Sequence, residues 1–165
     1  MSVAPESLVD AAQAAFLQGG VSISAASCGA QPFPSVCRVL ACVVADDRCR
    51  LTVMVARPCA QQLLEDIAHG GRLAVVFSQP STNRTLQVKG DRACIGMPDA
   101  CQLEAVRRHA DAFVEEVRPL GFPAPLVRSL LHCADDDVVA ISFTPTAAYD
   151  QSPGPRAGAP LKAGA

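Results

Sequence analysis

The chain has 165 residues, half of them apolar, and its 14 basic and 16 acidic side chains give a formal net charge of -2. This length suits one domain with a single core and is too short for two. Aromatic residues make up only 4% of the chain and Trp is absent. Proteins that bind nucleic acids carry basic patches and stacking aromatic side chains, so we expect no nucleic-acid partner.

The N-terminal segment has no basic region followed by an apolar run, and the chain has no apolar stretch of roughly 18 residues. These features predict neither export nor membrane insertion. Eight cysteines occur without a CxxC motif, and several lie in strand-like runs where Cys behaves as a small hydrophobe. We therefore expect a cytoplasmic protein with reduced thiols. His132 and Cys133 are too close in sequence for good tetrahedral zinc geometry, so no metal is expected.

Apolar residues at helical spacing in 6–20, ended by Gly19 and Gly20, predict a first amphipathic helix. Three short runs rich in Val and Ile follow, with turn residues between them, at 21–28, 36–45 and 49–56. Such runs predict three antiparallel strands joined by hairpins. Pro58 then opens a short helix that ends at paired glycines, because proline suits the first helical turn and glycine suits the exit.

The second half of the chain predicts three more strands, at 72–77, 84–96 and 138–145. Asp99 is the predicted cap of a long helix from Ala100 to about Val117, and a shorter helix follows at 123–133. The elements lack the βαβ rhythm of α/β folds. They predict a mainly β domain with flanking helices (α+β) and six strands, which suits a closed or partly closed β-barrel.

This domain is predicted to span residues 1–150, with a helical insertion around 99–133. Residues 151–165 are rich in Pro and Gly and lack the side chains needed to build a core. They are predicted to form a mobile tail or a strap laid over a partner.

Arg38 lies in a strand-like run with apolar neighbours, and simple alternation groups it with Val36, Leu40 and Cys42. Its guanidinium must reach water, a carboxylate or an anionic ligand, because an unpaired buried charge is costly. The guanidinium group of an arginine can bind phosphate through two parallel hydrogen bonds. An arginine whose stem lies on apolar surface and whose head stays in solvent is an equally good interpretation.

The segment 77–90, "FSQPSTNRTLQVKG", is the most polar passage in an apolar part of the chain. Alternation places Thr85, Gln87 and Lys89 on one face of a strand, with Leu86 and Val88 on the other. Composition favours an ordinary solvated hairpin. The alternative interpretation is the rim of a site for an anionic ligand.

Nothing in the sequence identifies a catalytic side chain. The chain has no GxSxG, HExxH, Walker A or GxGxxG motif. His69 is explained by its place in the last turn of a helix, where a cation complements the dipole. Catalytic residues therefore stay unknown, and an enzyme built on this chain would depend on a cofactor for its chemistry.

The order of elements and four short stretches, "PSVCRVL", "RLTVMV", "AQQLLEDIAHGGRLAVVF" and "RTLQVKG", resemble the pyridoxamine 5'-phosphate oxidase-like family of FMN-binding split β-barrels. The resemblance covers about residues 15–96. The final "YDQSPGPRAG" is similar to the C-terminal segment of a bacterial subgroup of that family. The resemblance implies a homodimer, with FMN in a groove between the two barrels and a small-molecule substrate or ligand.

The resemblance also implies which residues bind the cofactor: Arg38, Val39, Arg57, Pro58, Gln79, Arg84, Thr85 and Gln87. In it, the arginines would hold the FMN phosphate, and Gln79, Thr85 and Gln87 would contact the flavin ring. The oxidases carry a Ser-Arg-Lys group where this chain has Pro58, Cys59 and Ala60. Two phosphate-neutralising charges are therefore missing, and oxidation of pyridoxamine 5'-phosphate itself is not expected.

Three functions remain open at this point. The first is an FMN-dependent oxidoreductase that acts on an unknown small molecule. The second is a non-enzymatic module that binds flavin or another small ligand on the same fold. The third is a haem-binding relative, in which His69, His109 or His132 would be the ligand.

Overall fold

Six strands build a barrel in the computed structural model, which describes residues 7–29 and 32–161. The strands are β1 (Ser22–Ser27), β2 (Ser35–Val44), β3 (Leu51–Ala56), β4 (Leu73–Ser78), β5 (Thr85–Gly96) and β6 (Val138–Asp150), with a short β7 (Ala159–Pro160). The α-helices are α1 (Ala11–Leu17), α2 (Gln61–Gly70), α3 (Ala100–Val117) and α4 (Ala124–Leu130). Three 3₁₀ turns occupy Arg57–Cys59, Arg118–Leu120 and Asp135–Asp137.

The barrel closes because β6 is long enough to pair with two strands. It spans 13 residues, and its first part pairs antiparallel with β3, from Val138 opposite Ala56 to Phe143 opposite Leu51. Its other edge pairs with β5. The resulting order is β3-β2-β1-β4-β5-β6, with β6 returning to β3. The predicted fold class, a six-stranded split β-barrel with flanking helices, is confirmed.

Aliphatic side chains and two phenylalanines fill the barrel, and α1 and α2 contribute to the same core. The largest fully buried side chains in this core include Leu17, Ile23, Leu51, Leu63, Phe77, Ile141 and Phe143. Small and β-branched residues supply most of the rest, as the composition predicts. Removal of this apolar surface from water is the main driving force for closing the sheet.

A β-bulge in β2 changes which side chains face outward. Pairing with β3 shifts register between Val39 and Ala41, and the extra residue reverses the alternation that follows it. Cys42 therefore belongs to the barrel interior, whereas Leu40 packs outside the barrel in a second apolar cluster with Ala105 of α3. The predicted grouping of Cys42 with Arg38 on one face is wrong for this reason.

The longest helix begins where the sequence predicts. The Asp99 side chain accepts a hydrogen bond from the Gln102 backbone N–H at 2.8 Å, and Gln102 accepts one from the Asp99 backbone in return. This capping box satisfies two backbone donors that α3 would otherwise leave unpaired. The first helix has the same device at Asp10, so it begins later than the predicted residue 6, which lies outside the described residues.

The C-terminal segment folds back onto its own barrel as far as the structure describes it. β6 continues to Asp150, five residues past the predicted end, and Ala159 pairs with Asp150 through β7. The Leu161 backbone N–H donates to the Ala148 carbonyl at 2.8 Å, and its side chain packs on the main core. Residues 162–165 of the predicted tail lie outside the described residues. Among the helices that are described, none is long and apolar enough to cross a membrane.

Gly90 occupies a position in β5 where a side chain has no room. A Cβ there would lie 2.5 Å from the Thr144 carbonyl oxygen and closer still to the Phe143 ring. We expect Gly90→Ala to lower the free energy of unfolding by about 2–3 kcal/mol, because overpacking displaces both partners. Urea denaturation measures the change.

Gly96, in the same strand, is the matched control, since a Cβ there would meet no atom within 4 Å. Gly96→Ala should leave the unfolding midpoint nearly unchanged. Equal midpoints for the two variants would show that β5 does not approach Phe143 as closely as described.

Candidate functional site

Side chains that alternate away from the barrel interior form two rows across five strands. Strand register places one row, called here the first row, at Arg38, Ser24, Val76, Gln87 and Tyr149. The neighbouring second row contains Val36, Ala26, Ala74, Lys89 and Ala147. Since adjacent strands lie about 4.8 Å apart, Arg38 and Gln87 stand about 14 Å apart along the sheet. Most side chains between them are small, which leaves a shallow surface with a polar group toward each end.

Arg38 provides the positive end of the first row. Its side chain is half-buried and lies close enough to α3 to lower the pKa of His109. None of the four ion pairs found in the described residues includes Arg38. The Arg38 charge thus lies on a partly buried surface, and no described carboxylate pairs with it.

Arg57 lies close to Arg38 because of the pairing between β2 and β3. Val39 is opposite Val55, so a continuation of that register by one residue puts Arg38 beside Ala56, and Arg57 follows immediately. Arg57 is exposed, and the turn that contains it leads directly into α2. Ala60, at the N-cap of α2, makes no side-chain capping bond. The backbones of Arg38 and Arg57 and the start of α2 therefore lie at one edge of the barrel.

Val39 and Pro58, two further predicted site residues, also lie at this edge of the barrel. Val39 is 1% exposed and its side chain fills the barrel interior, so only its backbone could reach a ligand. Pro58 is exposed in the first turn before α2 and has no backbone N–H to donate.

Polar side chains of the hairpin between β4 and β5 contact other parts of the protein. Glu116 of α3 accepts a hydrogen bond from the Ser81 backbone N–H at 2.9 Å and one from the Gln79 amide at 3.3 Å. Although desolvation opposes the effect, these bonds lower the pKa of Glu116. The Arg84 guanidinium lies over the Phe16 ring, 4.3 Å from its centroid. The hairpin is thus tied to both α3 and α1.

Thr85 and Gln87 lie on the outward side of β5, as alternation predicts. The Thr85 hydroxyl is 2.8 Å from the Ser78 hydroxyl, and its backbone N–H donates to Ser152. The Gln87 side-chain oxygen accepts from the Gln151 amide at 3.3 Å, which leaves its own N–H₂ group without a protein acceptor among the described residues. The structure therefore brings Gln87 into one row with Arg38, while Gln79 and Arg84 stand at the hairpin.

A cavity of about 580 Å³ opens beside the second row. Its polar lining residues are Ser27, Cys28, Arg72, Lys89, Asp91 and Thr146. None of the eight predicted site residues lines it. The outward position of Lys89 was predictable from alternation, but Arg72 and Asp91 join it only through the pairing of β1, β4 and β5.

The three histidines have different environments. His69 is exposed, and its ring Nδ1 lies 2.7 Å from the Glu65 carbonyl oxygen in the last turn of α2. His132 is exposed after α4. His109 is 4% exposed and stacks on Phe113, with ring centroids 6.2 Å apart, and its Nδ1 has no hydrogen-bond partner. Burial lowers the pKa of His109 to about 4; the Gly19 carbonyl opposes this shift and the Arg38 charge adds to it.

The two buried thiols of β2 are not activated as nucleophiles. Burial, with a smaller effect of Cys59, raises the pKa of Cys37 to about 11, and burial raises the pKa of Cys42 further. A thiolate is the reactive form of cysteine, so neither thiol is activated at neutral pH. Within residues 7–29 and 32–161, no disulfide joins two cysteines and no group of three ligating side chains could hold a metal ion.

No protein-family model matches the chain, and no curated protein is similar to it in sequence. Solved structures do share its fold. An F420 reductase has a TM-score of 0.55 at 18% identity, with 81% of this chain and 93% of that chain covered. HupZ from Group A Streptococcus has a TM-score of 0.55 at 12% identity, with 91% and 99% covered.

A candidate pyridoxamine 5'-phosphate oxidase from Lactobacillus delbrueckii has a TM-score of 0.52 at 13% identity, with 86% of this chain and 93% of that chain covered. The predicted resemblance to pyridoxamine 5'-phosphate oxidase-like split barrels is therefore confirmed as a shared fold. At identities this low, the likeness carries the fold and not the activity.

The buried His109 generates a prediction about acid stability. Its pKa is about 4 in the folded chain against an ordinary 6.5, so unfolding takes up a proton between about pH 6.5 and pH 4. The stabilisation is complete above pH 6.5 and is lost as the pH falls to about 4, a loss of about 3 kcal/mol. We expect His109→Phe to remove most of this acid-dependent loss, measured as the free energy of unfolding in urea at several pH values.

His69→Gln serves as the control, because His69 is exposed on α2. That variant should keep the pH dependence of the unchanged protein. An equally steep loss of stability in His109→Phe would assign the acid sensitivity to carboxylates instead.

Proposed function

We propose that the chain binds FMN across the first row and acts, as a homodimer, as an FMN-dependent oxidoreductase on a small molecule. The observation that carries the proposal is Arg38, a half-buried cation that faces outward from the barrel and has no carboxylate partner in residues 7–29 and 32–161. A charge in such a position is stabilised by an anion, and the fold is shared with an F420 reductase and with a candidate pyridoxamine 5'-phosphate oxidase.

The FMN phosphate would be held at the edge where Arg38 and Arg57 meet the start of α2. Guanidinium forks match phosphate oxygens in a bidentate manner. The first backbone N–H groups of α2, which spans 10 residues, receive no side-chain cap and can donate to the same anion. These contacts compensate for Cys59 and Ala60, which contribute no charge.

The flavin ring would lie along the first row, away from that edge. Ser24 and Ala26 on β1, and Ala74 and Val76 on β4, are small enough to leave room for a flat group over the sheet. Gln87, about 14 Å from Arg38 along the sheet, can donate its N–H₂ group to a ring carbonyl or nitrogen. When bound, FMN supplies the electron transfer, and the chain supplies binding and orientation.

A second copy of the chain would cover the ring from the other side. Phe33, just before β2, is 79% exposed, Val36 in the second row is 65% exposed, and Met97 after β5 is 71% exposed. Exposed apolar side chains of this size mark interaction surfaces. A symmetric pair of barrels would bury them and enclose the cofactor groove between two copies.

A non-enzymatic flavin or small-ligand binding module is the second candidate function. The specific observation in its favour is the loss of charge at Cys59 and Ala60, since weaker phosphate contacts suit a carrier or sensor. The two candidate functions differ in whether the bound flavin is reduced and reoxidised catalytically. Bound flavin that neither NADH nor NADPH reduces, and that no acceptor reoxidises catalytically, would favour the module.

The phosphate contacts can be tested by titrating the purified apo-protein with FMN and following the quenching of flavin fluorescence. We expect saturable binding, and we expect Arg38→Gln and Arg57→Gln each to weaken it by about tenfold or more, the value of a charge-assisted hydrogen bond. Arg50→Gln is the control, because Arg50 carries the same charge and is exposed like Arg57, but it precedes β3 at the opposite end of that strand. Absence of FMN binding to the unchanged protein would overturn the proposal.

The proposed dimer predicts twice the chain mass by multi-angle light scattering. Val36→Lys should shift the protein to the monomer and weaken FMN binding, because it puts a charge into the proposed interface. Leu126→Lys is the matched control: Leu126 is 57% exposed on α4, away from both rows. If the unchanged protein is a monomer and still binds FMN fully, one barrel is sufficient for FMN binding.

A further inference from the structure

We propose that the cavity beside the second row is a subsite for the anionic group, a carboxylate or a phosphate, of the small molecule on which the protein acts. The inference rests on the proposed function for its link to a substrate, but the anion site itself does not require FMN. It is carried by two cations, Arg72 and Lys89, that line one cavity of about 580 Å³.

The two cations converge because β1, β4 and β5 lie side by side. Lys89 is paired with Ala74, and Arg72 lies two residues before Ala74, immediately ahead of β4. The wall between them consists of small residues, Ala26 and Ala74 among them. Among the described residues no large side chain fills this space, so the cavity lies open next to both charges.

The donors that remain available in the cavity are the cationic ones. The Ser27 hydroxyl donates to the Arg72 carbonyl at 2.7 Å, and the Thr146 hydroxyl donates to the Lys89 carbonyl at 3.4 Å. Both hydroxyls are therefore occupied by backbone. The side chains of Arg72 and Lys89 make no ion pair with any described residue, and an Arg carries five N–H donors and a Lys three.

Lys89 is positioned as well as charged. Its ammonium lies over the Tyr149 ring, 5.2 Å from the centroid, and this cation–π contact restrains the end of a flexible side chain. Asp91 completes the lining of the cavity and keeps it from being uniformly positive. A ligand with one compact anionic group and a neutral or donor-bearing remainder fits this arrangement better than a polyanion.

The cavity adjoins the proposed position of the flavin ring. Lys89 follows Gln87 by two residues on the same face of β5, a separation of about 7 Å. A molecule anchored by its anionic group at Arg72 and Lys89 would extend its remaining atoms toward Gln87 and the ring. Its substrate class is therefore a small carboxylate or phosphate ester rather than an uncharged apolar compound.

Inorganic phosphate and acetate are the probes, added separately at low ionic strength while backbone amide chemical shifts are followed by NMR. We expect phosphate, acetate or both to shift amides of residues 27–29, 72–74 and 89–91. Arg72→Gln and Lys89→Gln should each weaken that binding by about tenfold, whereas Arg50→Gln should not change it. Both target residues are exposed, and the dispersion of the same spectra reports whether each variant is folded.

The same titration on protein saturated with FMN separates this proposal from the proposed function. Unchanged anion binding in the FMN-loaded protein supports a substrate subsite, and loss of binding would make the cavity the cofactor's own phosphate site and overturn the proposal. Anion binding that depends on Arg72 and Lys89 in a protein that fails to bind FMN would retain the anion site and reject the flavoprotein. FMN binding with no anion-induced shifts, or shifts equal in all variants, would overturn the anion site alone.

Discussion

Closure of the sheet through β6 is the constraint on which the rest of the structure depends. One strand of 13 residues bonds to β3 along one edge and to β5 along the other. Because the sheet has become a barrel, its inward positions are mostly apolar and the outward positions are released from the barrel core. The polar and small side chains of the two outer rows exist in register only because this closure fixes how β1, β2, β4 and β5 are paired.

Most strands were predictable from the sequence, because alternation and turn residues are local signals. The main shortfall was β6, whose predicted end at Pro145 is five residues short of Asp150. Proline usually ends a central strand since it cannot donate to the ladder. Here Pro145 is paired with Gly90 where the register shifts, so the missing N–H coincides with an irregularity that the ladder already contains. That β6 can continue through Pro145 becomes evident only from its pairing with β5.

The candidate site was less predictable than the fold, for reasons of register. Outward positions of Arg38 and Gln87 follow from alternation within their own strands, but their place in one row depends on three pairings between distant parts of the chain. The bulge after Val39 also reversed the face of Cys42, which no local pattern announces. No sequence pattern identified Arg72 as a site residue. Only the strand pairing shows that Arg72 lines the same cavity as Lys89.

Charge is partitioned between two parts of the molecule, and this partition favours an anionic ligand. The four described ion pairs all use arginines of the helical region, Arg107, Arg118 and Arg128, with carboxylates of the same region. On the barrel, Arg38, Arg57, Arg72 and Lys89 have no such partner in the part of the chain that the structure describes, although the chain as a whole is acidic. Clustered cations repel one another, and a bound anion relieves that repulsion. The two outer rows combine small side chains with Arg38 and Lys89, and Arg57 and Arg72 lie beside them, which is the arrangement on which the proposed anionic ligand rests.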